Sequence, residues 1–142
     1  MPEDGEQPSG RLDVDLLERI GQRLAKNDLF SKVTIQPDTA ADSVVADVDL
    51  GYYPNAVERA YLRIRWYETD DFNVHYSEQY DDGARWECRW DRHPNDHNAR
   101  EHFHPPPDAS TPGTDAEYPA DWRDVLTRVL GRMDKRIRAF WE

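Results

Sequence analysis

Residues 59–91 read RAYLRIRWYETDDFNVHYSEQYDDGARWECRWD, and the period of this stretch decides the fold. Leu62, Ile64 and Trp66 fall on one side of an extended chain, and Tyr61, Arg63, Arg65 and Tyr67 on the other. Asp70-Asp71 is a turn signal. Beyond it Phe72, Val74 and Tyr76 alternate with Asn73, His75 and Ser77. Asp81-Asp82-Gly83 marks a second turn, after which Trp86, Cys88 and Trp90 alternate with Glu87, Arg89 and Asp91. Apolar-polar alternation with short connections predicts an antiparallel meander, one face covered and one open.

Upstream the same period continues. SVVADVDLGYY places Val44, Ala46, Val48 and Leu50 on the covered side, and SKVTIQP adds Val33 and Ile35, which makes about five strands. Before them, Asp13 suits a helix N-cap, and Leu16, Leu17, Ile20 and Leu24 recur at helical spacing as far as Asn27-Asp28. At the other end Pro119 suits a first helical turn, and Trp122, Val125, Val129, Met133, Ile137 and Phe140 form one apolar stripe. The expectation is an α+β fold: a sheet of about five strands packed against an N-terminal and a C-terminal helix. Residues 1–10 read as a disordered polar lead and 11–142 as a single α+β domain. From His93 to about Pro119 the chain reads as irregular, because Pro105-Pro106-Pro107 cannot join a sheet interior.

A chain of 142 residues is long enough for one domain with a core of its own. The single cysteine, Cys88, excludes an internal disulfide and a multi-thiolate metal site; between Trp86 and Trp90 it reads as a small buried hydrophobe. No stretch is long and apolar enough to cross a bilayer and no apolar signal core leads the chain, so the expectation is a cytoplasmic protein without membrane contact. The net charge is -11, and lysine occurs only at positions 26, 32 and 135. A carboxylate coat poor in lysine resembles proteins of salt-in halophiles. The other reading is a surface meant for a basic partner. At multimolar salt the field is screened within roughly 3 Å, so local arginines weigh more than the global sum.

The chemistry-bearing stretch is Arg89 to His104, RWDRHPNDHNAREHFH, which holds four of the five histidines: His93, His97, His102 and His104. If the chain is extended there, His102 and His104 point the same way and Phe103 points into the core. Two chemistries are open. One is acid-base cleavage of a phosphodiester, with imidazoles moving protons, Asp91 orienting one of them, and Arg65 or Arg89 stabilising the phosphorane. The other is a divalent metal held by imidazoles and Asp91 or Asp96. The spacing matches no familiar zinc signature, so no metal ligand set is assigned and no cofactor is expected. The bland reading is that the histidines brace a loop by bonding backbone carbonyls. On the open face Arg63, Arg65 and Arg89, near Tyr61 and Tyr67, suit RNA phosphates; equally, they could be a solvated face laced with ion pairs.

The run Arg89-Trp90-Asp91, followed by His93, His97 and the pair His102-x-His104, resembles the TumE-type toxin family of prokaryotic toxin-antitoxin systems. The likeness covers roughly residues 61 to 130. It departs at Arg92, where the family has Asn, and at His93 and His97, which are adjacent in many members. The resemblance implies a helix plus an antiparallel sheet, a histidine-rich loop and a C-terminal helix. It also implies a cognate antitoxin partner and an RNA-directed activity. The resulting expectation is a toxin-like protein, in its most specific form a metal-independent endoribonuclease. In that form His93, His97, His102, His104 and Asp91 are catalytic, and Arg63, Arg65 and Arg89 bind phosphate. The alternatives are a non-catalytic protein-interaction module and a histidine-based metal-binding protein. Whether the chain forms a homodimer is left open.

Overall fold

A computed structural model describes residues 8, 10–36, 43–94 and 99–142. The elements are α1 (Val14–Ala25), β1 (Phe30–Gln36), β2 (Ser43–Val48), a 3-10 turn (Leu50–Tyr52), β3 (Val57–Trp66), β4 (Phe72–Tyr80), β5 (Arg85–Arg92), β6 (Glu101–His104), β7 (Thr114–Asp115) and α2 (Trp122–Ala139). All neighbouring strands are antiparallel, in the order β1-β2-β3-β4-β5-β6-β7. The α+β meander with a helix at either end is the expected one, but among the described residues the sheet has seven strands and not five. The two further strands lie in the segment read as irregular. β6 precedes the three prolines and pairs with β5, and β7 adds two residues beyond it.

The alternation of residues 59–91 is realised. Leu62, Ile64, Trp66, Phe72, Val74, Tyr76, Cys88 and Trp90 lie in one core with Leu17, Ile20 and Leu24 of α1 and Val125, Leu126, Val129, Met133 and Ile137 of α2. Each helix therefore buries one stripe against the sheet. Asp13 caps α1, its carboxylate accepting from Leu16 N at 3.0 Å. α2 begins later than expected: Asp121, not Pro119, provides the start, accepting from Arg123 N. Asp70, at φ 72, and Gly83, at φ 87, take the left-handed turn positions between β3, β4 and β5. Leu50 leaves the covered face for the 3-10 turn and is exposed. Trp141, outside the helix, is exposed as well. Among the described residues, no helix is long and apolar enough to cross a membrane.

The face expected to be open is not open throughout. Asp91 and Ser77 are fully buried, and His102, His104 and Tyr61 nearly so. The core face also carries a polar group that alternation hides. Glu78 follows Tyr76 at even spacing and is therefore inside, where Arg136, Tyr76 and Tyr80 all donate to it.

Candidate functional site

Register brings the chemistry together. Across the sheet Arg63 stands opposite His75, His75 opposite Arg89, and Arg89 opposite His104. The next row runs Arg65, Asn73, Asp91, His102. Alternation puts both rows on the face away from the helices, so residues far apart in sequence become lateral neighbours. In β6, His102 and His104 point to this face while Phe103 packs on Trp90, as expected from the His-x-His spacing.

Asp91 is the hub. Its Oδ2 lies 3.3 Å from His93 Nε2, 3.6 Å from His102 Nε2 and 3.2 Å from His104 Nε2, and it accepts from Arg89 Nε at 2.8 Å. The His93 and His102 ring centres are 4.8 Å apart, and those of His102 and His104 5.0 Å, in edge-on packing. Each ring is anchored from behind. His93 Nδ1 faces Pro94 O at 3.0 Å, His102 Nδ1 faces Ala99 O at 3.1 Å, and His104 Nδ1 faces Ser110 O at 3.0 Å. Asn73, with its amide nitrogen turned to Asp91, donates to Oδ1 at 3.1 Å. Arg89 is the one half-exposed member of the group.

The electrostatics follow from this crowding. Burial opposes ionisation of Asp91, yet His104, His93 and Arg89 around it hold the carboxyl well below the usual carboxylate range. Burial also opposes protonation of His93, but the Asp91 carboxylate and the Pro94 carbonyl pull it above the ordinary histidine value. His102 is pushed down by burial despite Asp91.

His93, His102, His104, Asp91 and Arg89 converge. Arg63 and Arg65 share their face two strands away. His97 and Asp96 lie outside the described residues. Arg92, where the family pattern has Asn, is buried on the opposite side; it bonds Glu101 Oε2 at 2.7 Å and Pro119 O at 2.8 Å. It thereby ties β6 and the approach to α2 onto β5. Sequence reasoning missed Asn73 and the carbonyls of Pro94, Ala99 and Ser110. Asn73 was legible as the residue that alternation sets between Phe72 and Val74, on the Asp91 face. The carbonyls carry no side-chain signal.

Arg63 and Arg65 are, with Arg11, Arg19, Arg23, Arg85, Arg128 and Arg132, arginines with no carboxylate at ion-pair distance among the described residues, and Arg65 is set apart by its buried Nε. Arg59, Arg89, Arg92, Arg100, Arg123, Arg136 and Arg138 each have a carboxylate partner. Among the described residues Arg63 contacts the Tyr61 ring at 5.4 Å and has no such partner. Arg65 Nε is buried without an acceptor.

The fold and this centre define a small α+β protein with a histidine-aspartate cluster at one end of an antiparallel meander. Residues 17–137 match the family model described as Toxin TumE, and the chain belongs to that toxin family. No curated protein and no solved structure matches it.

Proposed function

We propose that this toxin-family chain acts on RNA. In this reading Arg63, Arg65 and Arg89 hold the phosphate backbone, and the cluster of His93, His102, His104 and Asp91 supplies the chemistry of phosphodiester cleavage. The observation that carries it is Arg65 Nε, buried without an acceptor, with Arg63 on the same strand face. In a protein of net charge -11, neither has a carboxylate partner among the described residues. A buried donor without an acceptor is costly, on the order of 1–3 kcal/mol, unless a ligand supplies one. Planar guanidinium forks suit phosphate oxygens. Arg89, half-exposed and bonded to Asp91, links the phosphate-binding row to the cluster.

A bracing role explains why each ring is tied to a carbonyl. It does not explain why all three turn their other nitrogen to one carboxylate. A cognate antitoxin fits as the partner that covers this face, a homodimer being the other assembly to check. We read the acid coat as adaptation to salt, so the thermal midpoint should rise as KCl is raised from 0.1 to 2 M.

The test is incubation of the purified protein with mixed-sequence RNA at high potassium, once with a chelator and once with added divalent metal. The wild type should shorten the RNA under at least one condition. An Arg63→Ala, Arg65→Ala double variant should do so at least ~10-fold more slowly. RNA left intact by the folded wild type under both conditions ends the nuclease reading. Growth arrest relieved by a neighbouring antitoxin would then point to a different target.

A further inference from the structure

We propose that Asp91, His102 and His104, with His93 beside them, form a binding site for a first-row divalent transition metal such as zinc. A carbonyl oxygen only accepts, so the Nδ1 atoms that face Pro94 O, Ala99 O and Ser110 O carry the protons. A neutral imidazole then has its lone pair on Nε2. In all three rings Nε2 is turned toward Asp91 Oδ2, itself an acceptor, at 3.2 to 3.6 Å.

Protonating His93 alone would satisfy one contact and leave the Nε2 lone pairs of His102 and His104 facing the carboxylate. Protonating every ring would turn all the repulsion into attraction. It would also bury three imidazolium ions with ring centres 4.8 and 5.0 Å apart beside Arg89. One carboxylate cannot neutralise that charge in a dry site. A cation among the acceptors removes the conflict. His104 makes this concrete: the residue is 4% exposed, and its Nε2 is buried with no hydrogen-bond partner.

The spacing agrees. The ligand atoms of Asp91, His102 and His104 all lie within 4.8 Å of one another. Four ligands at ~2.1 Å around a tetrahedral ion stand ~3.4 Å apart. The separations of 3.6 and 3.2 Å from Oδ2 to His102 and His104 bracket that edge, while His93, 3.3 Å from Oδ2, stands outside the mutually close set. The surroundings also suit a metal site. Each imidazole donates its far nitrogen proton to a carbonyl, and Asp91 is fixed by Asn73 and Arg89, as the outer shell of a metal centre requires. Imidazole nitrogens with one carboxylate favour zinc, iron, manganese, cobalt or nickel over magnesium or calcium. The only thiol, Cys88, lies in the core on the other face of the sheet and takes no part.

The site stands whether or not RNA is the substrate, and its test uses none. The full chain is stripped with a chelator and titrated with Co(II), read by ligand-field absorption, then with Zn(II) by calorimetry and thermal shift. We expect one equivalent bound, displacement of Co(II) by Zn(II), and a higher thermal midpoint. His104→Ala should weaken binding by at least ~100-fold while keeping the wild-type circular dichroism. If that variant does not fold, nitrogen NMR of the wild-type imidazoles decides. The Nε2 resonances of His102 and His104 should move with one equivalent of Zn(II). Folded wild type that takes up no Co(II) or Zn(II), His104→Ala binding at wild-type affinity, or Nε2 resonances that ignore Zn(II) would each overturn the proposal.

Discussion

Arg136 of α2 donates through Nε and Nη2 to the two carboxylate oxygens of Glu78 on β4, at 3.0 and 2.9 Å. Glu78 is fully buried, and Tyr76 and Tyr80 donate to the same oxygens at 2.7 and 2.6 Å. The pair fastens the last helix to the sheet across 58 positions of sequence. Arg136→Ala leaves a buried carboxylate without its cation, which costs about 3–5 kcal/mol. Urea midpoints should fall accordingly, and a Glu78→Leu, Arg136→Met double variant should recover most of the loss. A loss below about 1 kcal/mol for Arg136→Ala would mean that the tyrosines alone satisfy Glu78.

His75 gives stability a pH dependence of known sign. Burial lowers its folded pKa, although Glu87, accepting at 3.0 Å, pulls the other way. The unfolded chain, at the ordinary ~6.5, therefore binds the proton first. The contribution is absent above that value and becomes a loss of stability as pH falls through it. Relative to wild type, His75→Gln should unfold less readily as pH drops from about 7 to 5.5, in urea melts at fixed salt. Parallel pH profiles for the two proteins would remove His75 from the account.

Cys88 should be chemically silent while the protein is folded. Burial raises its thiol to about 12, even with Arg132 nearby, so the thiolate is scarce at neutral pH. DTNB at pH 8 should leave the native protein unmodified and label one thiol once guanidinium unfolds it. Rapid labelling of the native chain would place Cys88 at the surface.

Gly113 sits where no side chain fits. A Cβ there would come 2.3 Å from Phe103 O and 3.3 Å from His104 Nδ1. Since Phe103 O is backbone in β6, Gly113→Ala must push the segment away from the strand. It should lower the thermal midpoint, and it should weaken Co(II) binding more than Gly131→Ala does, since nothing lies within 4 Å of a Cβ at Gly131. Equal effects of the two substitutions would show that this close approach does not shape the cluster.

How far the sequence was legible depends on how much each element decides locally. β3, β4 and β5 alternate over seven or more residues and read directly. β6 is four residues, Glu-His-Phe-His, with one apolar side chain, between a polar stretch of sequence and three prolines. β7 is two residues with no pattern. β6 is a strand because β5 offers a free edge, and β7 because β6 then offers one, which are tertiary facts. The histidines were visible, and so was Asp91. Their common focus on Oδ2 was not, since it rests on lateral register and on backbone carbonyls. Glu78 lies on the covered side, as its even spacing from Tyr76 requires, but its cation comes from the far end of the chain.

Pairing of β6 with β5 sets Arg89 against His104 and Asp91 against His102. Side chains in a strand swap sides with every step, so a shift by one position would turn both imidazoles toward the helices and present Phe103 to Asp91. Length changes in the stretch between the two strands therefore matter less than whether they keep this odd-even phase. A variant with one residue removed from β6 would still complete its meander, yet Phe103 would leave the core and the histidines would leave Asp91. Members of the family with differently spaced histidines would have to restore the phase by some other route.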